Sequence, residues 1–254
     1  MGRVLLILLG LVLFVAIIFK IYTSNYYKRD TKTIDQITSE YIDTVHSYED
    51  DDCMVFLPVT DSPKAVIVFY PGGKVDYKAY AGFMTKLSAR GYLCVLPRMP
   101  ENLAFLRTNA IDMLNERYAE YYSETKKLDW YIAGHSLGGV AATSYLNDEI
   151  KSDNNLYDGI ILCASYPTED FSGTDLRMLS IYGSEDSVLK QDSYNEAKSN
   201  WPADSTEYVI DGGIHSYFGC YGIQKGDGTP TLTNEEQLDI AVDVIDEWIC
   251  EKNE

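Results

Sequence analysis

Residues 130–146 read WYIAGHSLGGVAATSYL, and the way this stretch divides decides the fold. Trp130 to Ala133 is a short apolar run with the make-up of a buried strand. Gly134-His135-Ser136-Leu137-Gly138-Gly139 follows as a sharp turn. Val140 to Leu146 then reads as a helix of small and apolar residues. Strand, G-x-S-x-G, helix is the arrangement that lifts a serine hydroxyl above the carboxyl end of a sheet. Glycines are needed on both sides of it, because side chains there would strike the neighbouring strand and helix. The turn also points the Leu137 N–H and the helix N-terminus at any negative charge developing on a substrate oxygen.

Working outward, the same alternation repeats. Ala65 to Tyr70 (AVIVFY) is apolar on both faces and predicts a central strand, ended by Pro71-Gly72-Gly73. A helix follows with Tyr80, Phe83, Met84 and Leu87 on one face and Gly91 as its stop. Tyr92 to Leu96 is another strand. A longer helix is predicted to carry Ala110, Ile111, Leu114, Tyr118 and Tyr121. Further strands are predicted at Gly159 to Ala164, Met178 to Tyr182 and near Tyr208 to Ile210, and a helix at 188–199. The last helix opens with the capping box Thr233-x-x-Glu236. Strands alternating with helices predict an α/β fold with a mostly parallel sheet and helices on both faces. Ligands in such sheets sit beyond the carboxyl ends of the strands, so reactive side chains are sought in the loops that follow strands.

A serine hydroxyl needs a base, and the chain has three histidines. His135 lies inside the turn beside Ser136, with its side chain expected to point elsewhere. His46 precedes the predicted sheet. His215 follows the last strand, where the order Ser, acid, His places the base. The acid is expected after the Met178 strand, in Gly183-Ser184-Glu185-Asp186; Asp186 is the first choice and Glu185 the second. Asp211 is near His215 but at the wrong strand end. The acid holds the His215 tautomer and stabilises its imidazolium. A second oxyanion donor is expected from Pro71-Gly72-Gly73-Lys74, with Gly73 N–H ahead of Lys74 N–H. The pattern lacks G-x-x-x-x-G-K-[ST] and H-E-x-x-H, so no phosphate cradle, cofactor or metal is expected.

Composition sets the limits around this site. The 254 residues are 46% apolar and 24% charged, which excludes a disordered chain. A net charge of −18 makes nucleic acid an unsuitable partner. Five cysteines without C-x-x-C spacing exclude a zinc ribbon or a small disulfide scaffold. Cys220 reads as a bystander.

Residues 4–19 are an unbroken apolar run between Arg3 and Lys20. As a helix the run spans about 24 Å, and Ile21 and Tyr22 extend it toward the ~30 Å of a hydrocarbon core. Residues 1–22 are read as an uncleaved single-pass membrane anchor, with a cleaved signal peptide and a buried core helix as the alternatives. Residues 23–40 read as a polar tether and 41–254 as the catalytic domain. Lys20, Lys28, Arg29 and Lys32 would by the positive-inside rule hold the body in the cytoplasm. The short basic stretch before the apolar run instead suits export, and an extracytoplasmic body is the expectation adopted.

With these residues identified, the body resembles the α/β-hydrolase superfamily, and within it α/β-hydrolase fold family 5, a small bacterial group related to dienelactone hydrolases. The resemblance rests on FYPGGKVDYKAY at 69–80, LPRMPENLAFL at 96–106, AGHSLGG at 133–139 and GGIHSYFGCYGIQKGDGT at 212–229. It implies Ser136, Asp186 and His215 as a catalytic triad. The chain departs from that pattern at Ile214, where members carry Asn. About ten residues separate the strand ending near Tyr166 from Met178, too few for a cap domain. In the 216–233 loop, Tyr217, Phe218 and Tyr221 either line a substrate pocket or anchor the loop. The function expected is a serine hydrolase acting on small-molecule or lipid carboxylic esters through an acyl-enzyme. A catalytically silent binding module and an acyltransferase are the alternatives.

Overall fold

The structure is a computed structural model that describes residues 2–60, 62–112 and 125–251. Eight strands form one sheet in the order β1-β2-β4-β3-β5-β6-β7-β8. They are β1 Val45–Glu49, β2 Cys53–Pro58, β3 Ala65–Tyr70, β4 Leu93–Pro97, β5 Asp129–His135, β6 Gly159–Cys163, β7 Arg177–Gly183 and β8 Asp204–Ile210. From β4 to β8 every pairing is parallel; β1 and β2 enter antiparallel. The helices are α1 Gly2–Ser24, α2 Thr31–Glu40, α3 Ala81–Ala89, α4 Leu137–Lys151, α5 Gln191–Ala197 and α6 Asn234–Cys250.

The two faces of the sheet follow the period-2 rule. In β3, all six residues are buried. Ile67 and Phe69 join a core with Phe83, Met84 and Leu87 of α3 and Leu238, Val242, Ile245 and Trp248 of α6. Val66 and Val68 face the opposite core, with Ala141, Ala142, Tyr145 and Leu146 of α4. Helices therefore cover both faces, as the alternating apolar runs predict. Gly91 ends the α3 region at φ +103, and α6 carries the complete Thr233–Glu236 capping box. Residues 164–176 join β6 to β7 without a cap domain.

Some expectations need correction. His46 does not precede the sheet; it is an exposed residue of the edge strand β1. The strand expected near Tyr208 begins four residues earlier, at Asp204. Residues 23–40 are not a free tether. Asp30 caps α2 by accepting from Lys32 and Thr33 N–H, and Ile34 and Ile37 are buried in the α3 core. Of the long helix expected after β4, Ala110 and Ile111 sit in a short 3₁₀ turn, while Leu114, Tyr118 and Tyr121 lie outside the described residues. Helix α1 runs past Lys20, and its apolar part from Val4 to Ser24 is 21 residues, about 31 Å at the usual rise. Its large apolar side chains are exposed. It is long and apolar enough to cross a membrane by length and composition.

Candidate active site

The carboxyl ends of β3, β5, β7 and β8 bring the expected residues together. Ser136 directly follows β5 and caps α4 with φ 52 and ψ −126. This left-handed conformation is costly for a residue with a Cβ and persists only where its surroundings impose it. Here Ser136 N–H donates to Cys163 O at 3.0 Å, and Ser165 Oγ donates to Ser136 O at 2.7 Å. Glycine is obligatory two residues on: a Cβ on Gly138 would collide with the carbonyl oxygens of Tyr70 and Pro71.

Asp186 follows β7 and is buried; Glu185 is exposed. Asp186 Oδ1 accepts from Val188 N–H and Leu189 N–H, each at 2.8 Å. Its Oδ2 lies 2.8 Å from His215 Nδ1. An ionised carboxylate can only accept, so Nδ1 is the donor in this pair and Nε2 faces away from the acid. His215 opens a 3₁₀ turn after β8 and is 2% exposed. Its N–H donates to Asp227 Oδ1, and Asp227 Oδ2 takes Ser216 N–H and Oγ–H. Before it, Ile214 N–H donates to Gln237 Oε1 and Ile214 O accepts from Gln237 Nε2, at 2.9 and 2.8 Å. Buried Gln237 and half-buried Asp227 thus fasten the loop in which Ile214 stands where the resembling family has Asn.

His135 turns away from the serine. It is buried, with Nε2 3.0 Å from His215 O and Nδ1 2.8 Å from Tyr80 Oη. The carbonyl must receive a proton from Nε2, so Nδ1 accepts from Tyr80, whose oxygen accepts Gly72 N–H at 3.0 Å. Burial, and then the neighbouring His215, hold the His135 pKa well below its ordinary value. The unfolded chain then binds a proton that the folded chain refuses. Stability from this group is full above about pH 6.5 and falls on acidification, by up to about 1.4 kcal/mol per pH unit. Urea unfolding at pH 7.5 and 5.5 should show this slope, and His135→Asn should lose it.

Ser136 and His215 border one cleft of about 230 Å³, walled by Leu137, Val140, Ala164, Ser165, Tyr166 and Val188–Lys190. Tyr217, Phe218 and Tyr221 are not among its lining residues. Phe218 stacks near His135 at 5.7 Å between ring centroids, and Tyr221 packs on Tyr27 and Tyr80. For Phe218 and Tyr221, anchoring the loop is therefore the structural role. The aromatic wall is Tyr166, which sits in a polar loop with no periodicity to mark it. In the turn after β3, Gly72 N–H is taken by Tyr80, and Lys74 N–H donates to Asn102 O at 2.7 Å. Among the described residues this leaves Gly73 N–H without a partner. A Cβ on Gly73 would lie 2.7 Å from Leu137 Cδ2. Leu137, first in α4, has no intrahelical acceptor for its own N–H. Two free N–H groups thus belong to adjoining residues beside Ser136. Among the described residues no three His, Cys, Asp or Glu side chains gather as metal ligands.

Comparison with known proteins agrees with this architecture. No curated protein sequence matches the chain. Among solved structures, esterases from the fungus Rhizomucor miehei align at TM-score 0.56 and 16% identity, covering 82% of this chain and 81% of theirs. A soluble variant of the Saccharomyces cerevisiae monoglyceride lipase, solved with a substrate analogue, aligns at TM-score 0.56 and 11% identity, covering 80% of this chain and 94% of that one. At such identities the likeness shows the fold alone. The sequence model of the alpha/beta hydrolase family matches residues 66–239, a span that runs from the second residue of β3 through β8 and holds Gly73, Ser136, Asp186 and His215. By that match and by its fold, the chain belongs to the alpha/beta hydrolase family.

Proposed function

We propose that the protein is a serine hydrolase that cleaves carboxylic esters through an acyl-enzyme. The observation that carries the reading is the Asp186–His215 pair, buried at 2.8 Å, beside a cleft it shares with the strained Ser136. In this reading Ser136 Oγ attacks the ester carbonyl and His215 Nε2 takes its proton. Asp186 keeps Nδ1 protonated and stabilises the imidazolium. The N–H groups of Gly73 and Leu137 hold the oxyanion. His215 then protonates the leaving alcohol, and water attacks the acyl-enzyme by the same route. The esterase and lipase neighbours act on the same bond class, which supports an ester over an amide.

The cleft supports a short acyl group. At about 230 Å³ it is smaller than the ~300–1,000 Å³ of pockets that enclose drug-sized ligands. Helix α1 is read as a single-pass anchor, with the catalytic body outside the cytoplasmic membrane. This places short-acyl esters at a membrane surface, whether small soluble molecules or lipids. The test is a p-nitrophenyl ester series with the full chain. Two- to six-carbon acyl groups should exceed twelve-carbon ones in kcat/KM by about tenfold or more, the scale of a few methylenes that find no pocket. An optimum at long chains would contradict the short-acyl site.

A further inference from the structure

Lys74, next to the oxyanion turn, has φ 59, and Glu101 and Asn102 have φ 53 and 56. Three residues with side chains stand in the left-handed region, and such residues need external support. The same stretch of chain, residues 20–30 at the end of α1 and just beyond it, contacts both places. Tyr27 N–H donates to Lys74 O at 2.8 Å and Tyr27 O accepts Asp76 N–H at 2.9 Å, one rung of a parallel ladder between Tyr27 and Val75. Arg29 Nη1 bonds Asp76 Oδ2 at 2.7 Å, and Lys74 Nζ lies 4.1 Å from the Tyr22 ring centroid. Upstream, Lys20 Nζ and Thr23 Oγ1 both bond the Glu101 carboxylate, each at 2.6 Å. Glu101 is the neighbour of Asn102, whose carbonyl takes Lys74 N–H.

The stretch also reaches the loop that follows His215. Tyr27 Oη accepts from Lys225 N–H at 3.0 Å. Asp30 N–H donates to Cys220 O at 2.8 Å. The Tyr27 and Tyr221 rings are 5.7 Å apart. One strap therefore ties the turn that carries Gly73 to the loop that carries the base. Gly72 and Gly73 have little conformational preference of their own, so the direction of Gly73 N–H must be imposed from outside. Tyr80 holds one end of the turn, and the strap with Asn102 holds the other.

We propose that Lys20, Thr23 and Tyr27 are positioning residues of the active site: the strap leaving the anchor helix fixes the oxyanion turn through Tyr27 and, through Lys20 and Thr23, through Glu101–Asn102. This rests on the serine-hydrolase reading above. Tyr27 acts through Lys74 and Asp76 and does not touch substrate. A displacement of the Gly73 N–H weakens transition-state binding and leaves ground-state binding nearly unchanged, so the loss falls on kcat.

The test uses the full chain and p-nitrophenyl butyrate. Tyr27→Pro removes the N–H that bonds Lys74 O. Lys28→Pro makes the same change one residue along, where no hydrogen bond of that N–H occurs among the described residues; the residue before it, Tyr27, pairs as a β-bridge with Val75, the extended form that a following proline favours. Tyr27→Pro is expected to lower kcat by about tenfold or more, with KM within about twofold and the pH midpoint of kcat unchanged. Lys28→Pro is expected to keep wild-type kcat. Wild-type kcat in Tyr27→Pro, a loss confined to KM, or equal losses in both variants would overturn the proposal. If Tyr27→Pro does not fold, Lys20→Met with Thr23→Val cuts both side-chain contacts to Glu101, one exposed and one part-buried. That double variant should lose several-fold in kcat, and wild-type kcat in it would equally overturn the proposal. Activity surviving in Ser136→Ala, run in parallel, would instead refute the serine reading itself.

Discussion

Ser136→Ala is expected to lower kcat for a short ester by about 10⁶, the scale on which removal of a triad nucleophile acts. The fold should survive the change. The Ser136 side chain makes no capping hydrogen bond to α4. The elbow is held by backbone groups, through Cys163 O and Ser165 Oγ. Circular dichroism and thermal melting should therefore match wild type while turnover in a steady-state ester assay disappears. Alanine keeps the strained φ that serine already accepts, so no new backbone strain enters.

Asp186→Asn is expected to cost about 10⁴ in kcat. The amide keeps the shape of the carboxylate but changes what it offers. Val188 and Leu189 N–H both donate to Oδ1, which fixes that atom as the amide oxygen. The NH₂ group is then turned toward His215 Nδ1. A donor facing Nδ1 favours the tautomer with the proton on Nε2, and His215 can no longer take the serine proton. Glu185→Gln is the matched comparison, because the Glu185 side chain is exposed and, among the described residues, accepts only from Ser184 Oγ at 3.4 Å. It should stay close to wild type. If Glu185→Gln is the damaging change and Asp186→Asn is mild, the acid has been assigned to the wrong residue.

The parts of the fold that the sequence makes legible are those buried on both faces. AVIVFY and its counterparts in β4, β5, β6 and β7 stand out because every position, or nearly every one, needs an apolar side chain. The sheet edges do not. β1 (Val45–Glu49) and most of β8 are exposed, so Asp204, Thr206 and Glu207 carry no apolar signal although they pair with β7. The antiparallel entry of β2 depends on the hairpin at Asp50, whose carboxylate takes Asp52 and Cys53 N–H, and composition does not record that direction. α2 is hidden in the same way, with only Ile34 and Ile37 buried in a polar stretch.

The same division applies to the candidate site. Ser136, Asp186 and His215 are legible because each must follow a strand, and few residues of the right type do so. Gly73 N–H comes ahead of Lys74 N–H in the sequence reading, but what occupies Lys74 N–H is Asn102 O, a contact between segments 28 residues apart that the sequence does not display. The cleft wall at Tyr166 and the loop clamp at Asp227 are set by tertiary contacts of irregular segments, where no periodicity marks a side chain as inward, and Gln237 is a polar residue on the buried face of α6.

If Ser136 is an activated nucleophile, it forms a covalent adduct with a reactive phosphonyl electrophile. The full chain should be treated with a fluorophosphonate, digested, and its peptides mapped by mass. One adduct is expected, on Ser136, formed with a pH dependence set by a single base and absent from His215→Ala. A folded chain that takes no adduct, or takes it on another residue, would contradict it.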